Sequence, residues 1–146
     1  MKFFLCLILS ICCSQILLAQ TKGGDIEVIV NNLQSGREGS LCLILFSSKK
    51  GYPDDPAEGE TSRVFSIDGQ KKEFLLEDIA PGNYVMTLFH DENDNLILDK
   101  NLFGIPKEGY GISQNPKSTI FGPPEFQSAI FVHQNDRTRL EIKLSY

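Results

Sequence analysis

The residues best equipped for chemistry lie in one run, His90-Asp91-Glu92-Asn93-Asp94-Asn95-Leu96-Ile97-Leu98-Asp99. Asp91 to Asn95 all carry carboxylate or amide oxygens, and Asp99 adds another. With Asp91 as position 1, Asn93 and Asn95 fall at positions 3 and 5, Ile97 at 7 and Asp99 at 9. That is the spacing of the first half of a Ca²⁺ loop, where positions 1, 3 and 5 give side-chain oxygens and 7 gives a carbonyl. An EF-hand would need Gly at position 6 and a bidentate Glu at position 12, where this chain has Leu96 and Leu102. The EF-hand form is therefore excluded. A looser Ca²⁺ site at Asp91, Asn93, Asn95 and Asp99 is the expectation, set against a plain turn in which Asn and Asp bond to nearby backbone.

Three further side chains form a candidate ligand surface: His90, Glu108 and Tyr110. His90 abuts the acidic run and is placed to orient a carboxylate or act as a base, although a strand-end histidine that only satisfies its own hydrogen bonds is the simpler reading. No Gly-x-Ser-x-Gly elbow, phosphate loop or dinucleotide fingerprint occurs. No Cys/His cluster has zinc-ligand spacing. Cys42, inside Leu41-Cys42-Leu43-Ile44-Leu45-Phe46, reads as a small buried hydrophobe with no local base to activate it. No catalytic set and no organic cofactor site emerges.

The elements that must hold these residues are strands. Ile26, Val28 and Val30 alternate, as do Leu140, Ile142 and Leu144. Leu41 to Phe46 is continuously apolar, which predicts a strand buried on both faces. Tyr84, Met86 and Leu88 share one face of a strand that leads into the acidic run. Further strands are predicted at Arg63–Ile67, Glu73–Leu76 and Ala129–Val132, the first two closed into a hairpin by Asp68-Gly69-Gln70. Pro81-Gly82 fits the centre of a type II turn. About seven strands and no helical period predict a single antiparallel β-sandwich of transthyretin-like or immunoglobulin-like kind. One long Gly/Pro/aromatic loop, from Asp91 to Ser128, interrupts it. Its aromatics are expected to hold it on the body.

The amino terminus reads as a signal peptide over residues 1–19. Lys2 precedes an apolar stretch to Leu18, and Ala19 offers a small residue before Gln20. Cleavage there leaves one domain, residues 20–146, with Cys42 as its only cysteine and no transmembrane segment. The formal charge of the full chain is −5, and Lys49-Lys50 and Lys71-Lys72 are isolated pairs. Nucleic-acid binding is thus disfavoured, since phosphate contacts need a positive footprint.

Several motifs recur in a particular order: Pro81-Gly82-Asn83-Tyr84, then His90 to Asn95, then Phe103-Gly104-Ile105-Pro106-Lys107-Glu108-Gly109-Tyr110-Gly111-Ile112-Ser113-Gln114-Asn115, then Gly122-Pro123-Pro124-Glu125-Phe126. Over nearly all of residues 20–146 this resembles the exported bacterial family called domain of unknown function 2141. The resemblance implies a secreted β-sandwich of Gram-negative bacteria, periplasmic or at the cell surface, with no established activity. It further suggests that Tyr110, Phe121 and Phe126 pack the long loop down and that Gly104, Gly109 and Gly111 shape it. The expected function is a non-catalytic binding or interaction module, with an envelope or extracellular protein or a glycan as partner and Ca²⁺ as its one candidate cofactor. The alternatives are a small hydrolase or carbohydrate-active domain using His90 with Asp91 or Glu108, and a purely structural envelope protein.

Overall fold

The structure, a computed structural model, describes residues 23–34, 38–67, 73–117, 122–134 and 136–146. The expected signal peptide, the expected turn at Asp68-Gly69-Gln70 and Phe121 lie outside the described residues.

Among the described residues eight strands form two sheets: β1 (Gly24–Asn31), β2 (Ser40–Phe46), β3 (Thr61–Ser66), β4 (Glu73–Ile79), β5 (Gly82–Asp91), β6 (Tyr110–Ile112), β7 (Phe131–His133) and β8 (Arg137–Lys143). The smaller sheet runs β4-β1-β8 and the larger β3-β2-β5-β6, with β7 pairing the first residues of β5. The alternating apolar residues face each other between the sheets. Ile26, Val28 and Val30 of β1 and Ile142 of β8 meet Leu41, Leu43 and Leu45 of β2 and Met86 and Leu88 of β5. Burying each such side chain contributes roughly 1.5–3 kcal/mol, so this interface is the main source of cohesion.

The continuous apolar run of β2 has a second cause. Ile44 and Phe46 turn away from the sandwich core into a separate cluster with Val85, Ile112, Phe126 and Ala129. Two long connections, residues 47–60 between β2 and β3 and the loop that follows β5, lie over this outer face of the larger sheet, with Tyr52 from one and Tyr110 from the other packed against the cluster. The protein therefore has three layers, and the larger sheet is the middle one.

Four expectations are corrected. β1 and β8 pair in parallel, so the sandwich is antiparallel everywhere except at its two chain ends. β3 and β4 form no hairpin: β3 pairs β2 and β4 pairs β1, so the segment between them crosses from one sheet to the other. The Ala129–Val132 strand is displaced. A 3₁₀ turn occupies Phe126–Ala129 and β7 begins at Phe131. Gly82 does not adopt the left-handed conformation of a type II turn; a Cβ there would stand 3.0 Å from the ring of Tyr84. That ring folds back so that its hydroxyl donates to the carbonyl of Ala80 at 2.9 Å.

Candidate functional site

β5 ends at Asp91; His90 and Asp91 point to opposite faces of the strand, and each is buried with no exposed surface. The chain then turns back on Asp91. One carboxylate oxygen accepts the amide of Asn95 at 3.2 Å and the other the amide of Leu96 at 2.7 Å. The Asn93 side-chain oxygen accepts the amide of Asn95 at 3.1 Å, and that of Asn95 accepts the amide of Ile97 at 2.7 Å. The Asn93 side-chain NH₂ donates to the Asp99 carboxylate at 2.8 Å. Asp94 and Leu96 complete the reversal at φ 55° and 62°.

Glu108, also buried, closes the loop from the other side. Its two oxygens accept the amides of Glu92 and Asp99, both at 3.0 Å. Two buried carboxylates thus hold this loop through four backbone donors, charge-assisted bonds of the stronger kind. The four residues proposed for Ca²⁺ are brought together within one loop. Among the described residues, however, no three His, Cys, Asp or Glu side chains converge on a point that could hold a metal ion.

The candidate ligand surface divides. His90 and Glu108 are under the surface rather than on it, and Tyr110 alone of the three is half-exposed. The His90 Nε2–H donates to the Glu38 carbonyl at 3.2 Å. Its Nδ1 lies 2.9 Å from the Tyr146 hydroxyl, a second hydrogen bond. His133, also buried, lies elsewhere, bonded to Ile79 and Thr138. Cys42 is buried beside the loop, 3.9 Å from Asp91. Burial, reinforced by the charges of Asp91, Glu108 and Asp94, pushes its thiol up to about 12, so it is an inert proton-bearing group at neutral pH.

Sequence reasoning missed a cleft of about 540 Å³ on the outer face of the larger sheet. Thr87, Phe89 and Ile112 floor it. Pro53 and Asp54 of the first long connection form one wall, and Leu98, Lys100 and the segment Phe103 to Pro106 of the second form the other. Gly122 and Pro123 close one end. The walls are fixed in place. The Thr87 hydroxyl donates to the Pro53 carbonyl at 2.8 Å, and Tyr52 donates to the Pro124 carbonyl at 2.9 Å. The Tyr52 ring stands edge-on to Phe46 and Phe126. The Lys100 ammonium meets the Asp54 carboxylate across the mouth. A signal for this cleft existed in the paired Gly/Pro/aromatic connections, but it does not say that both cover the same face.

Tyr110 and Phe126 pack the long loop on the sheet as the resemblance suggested. Gly104 needs its φ of +77°. Gly109 and Gly111 are required for another reason: a side chain there would strike Tyr146 and Ile142.

The order of these features, from β1 through the acidic loop and cleft to β8, is matched by a family model over residues 28–141. The chain belongs to the family of uncharacterized proteins conserved in bacteria, DUF2141. No curated protein matches this DUF2141 member, and no solved structure does. No helix among its described residues is long and apolar enough to cross a membrane.

Proposed function

We propose that this DUF2141 member is an exported, non-catalytic binding module that holds an apolar small molecule or chain segment in the outer-face cleft. The observation that carries this reading is the braced cleft itself. Its volume of about 540 Å³ falls in the range of small-molecule sites, its walls are mostly apolar, and its polar groups are few. A site whose walls are already fixed spends little binding free energy on ordering them. The test is titration with an environment-sensitive apolar fluorophore. Saturable binding that Leu98→Trp abolishes, with the circular dichroism spectrum unchanged, supports the reading. Binding that is absent, or indifferent to Leu98→Trp, sinks it.

A cation at the acidic loop is a second reading, favoured by one observation. Asp91 and Glu108 are buried, and neither meets a cationic side chain among the described residues; they bond to backbone amides and, at Asp91, to a thiol. Ca²⁺ held by Asp91, Asn93, Asn95 and Asp99 would offset that charge, with weak affinity of about 10⁻⁴–10⁻³ M. Calorimetry and thermal melts decide it. Heat and a raised Tm with millimolar Ca²⁺, lost in Asp91→Ala, are expected if the loop binds the ion; no heat and no shift discard the site. The hydrolase alternative required an open cleft joining His90 to a carboxylate. His90 is buried, bonded at both nitrogens, and lines neither the outer-face cleft nor the smaller pocket beside Tyr110 and Asn115.

A further inference from the structure

The smaller pocket beside Tyr110 and Asn115 holds about 190 Å³ and differs from the cleft in its lining. Asn115, Lys143 and Ser145 give it polar side chains. Its walls are pinned. Tyr110 and Ser145 exchange two backbone hydrogen bonds, at 2.9 and 2.8 Å. The Asn115 side chain donates to the Glu141 carbonyl and accepts the Lys143 amide, both at 2.7 Å. Tyr110, Gly111 and Ile112 line both this pocket and the cleft. Pro123, at the end of the cleft, is followed in the chain by Pro124, which lines the pocket. A polar pocket therefore adjoins the apolar cleft along β6.

The two cavities also differ in charge. In the cleft, Lys100 and Asp54 neutralise each other. In the pocket, Lys143 is the one charged lining residue among those described, and it makes no ion pair among the described residues. Lys117, also exposed and without an ion pair among the described residues, follows the lining Pro116. The carboxylates nearest in the chain, Glu125 and Glu141, line neither cavity.

We infer that cleft and pocket together take a long-chain carboxylic acid, with its apolar chain in the cleft and its carboxylate on Lys143. The inference rests on the cleft reading above and adds a head group to it. A largely apolar site with a few polar groups at one end fixes which way round an amphiphile lies. The carboxylate matches the one lining charge that has no partner, through a charge-assisted hydrogen bond. A neutral head leaves that charge unmatched, and an ammonium head is repelled by it.

The probes are cis-parinaric acid, a polyene fatty acid whose fluorescence rises in apolar surroundings, and its methyl ester. Both should bind, and Leu98→Trp should abolish both. The acid should bind about three- to fivefold tighter than the ester, the effect of one ion pair at a partly exposed site. Rising salt should narrow that difference. Lys143→Met changes an exposed side chain, so the circular dichroism spectrum should stay the same. It should bring the acid down to the affinity of the ester and leave the ester unaffected. Equal affinities for acid and ester, both lost in Leu98→Trp, overturn the inference and keep the cleft reading. An acid preference that survives Lys143→Met also overturns it, and its loss in Lys100→Met would put the head at the cleft mouth instead. If neither probe binds, the cleft reading falls and the inference falls with it.

Discussion

Leu96 sits at φ 62°, in the left-handed region that favours glycine, and its side chain is mostly in solvent. A branched residue there costs roughly 1 kcal/mol that little core packing offsets. Leu96→Gly should therefore stabilise the protein by about that amount, read as a higher urea midpoint at an unchanged slope. The acidic run was legible as a tight oxygen-rich reversal. Its spacing could not tell whether those oxygens face a cation or the loop's own amides, because both uses need the same residues at the same intervals. Protonation offers a second test at this scale. Burial, with Glu125 and Tyr110 adding to it, pushes Tyr52 up to about 12 from 10.0, as burial and nearby carboxylates push Cys42 up to about 12 from 9.0. The folded state keeps protons that the unfolded chain releases. Their contribution is whole below pH 9 and is lost as pH rises from there through about 12. Urea midpoints should fall across that window, and less steeply in Tyr52→Phe.

The elements that join the layers are short, and that is why they escaped sequence reading. β6 is Tyr110-Gly111-Ile112, too brief for any period to show. It is held less by length than by Ser113, which follows it and is fully buried. The Ser113 hydroxyl accepts the Met86 amide at 3.0 Å and donates to the Ala129 carbonyl at 2.5 Å, tying β5 to the 3₁₀ turn. Ser113→Ala leaves the Met86 amide unpaired in a buried site. It should cost about 1–3 kcal/mol, seen as a lower Tm. Asn115 does similar work at the edge of β8, donating to the Glu141 carbonyl and accepting the Lys143 amide, both at 2.7 Å. The strands with clear alternation, β1, β5 and β8, were legible because one face of each enters the core. The β3–β4 hairpin was misread because Asp-Gly marks a reversal of the chain and not the sheet to which the chain returns.

Over the whole molecule, the sandwich followed from apolar alternation alone. The third layer did not. β2 read as buried on both faces, which is correct, but the cover on its outer side comes from two irregular connections centred on Tyr52 and Tyr110. Their meeting is a tertiary fact fixed by Tyr52 with Pro124 and by Lys100 with Asp54. Sequence spacing carries no trace of it. The cleft between these connections is the centre of the functional account, and amide-resolved NMR during titration with an apolar probe tests it most directly. Saturable shifts confined to Leu98–Ile105, Gly111–Ile112 and Gly122, with Leu98→Trp silencing them, are the predicted result. Shifts scattered over the sheet edges, or no saturable shift at all, would contradict it.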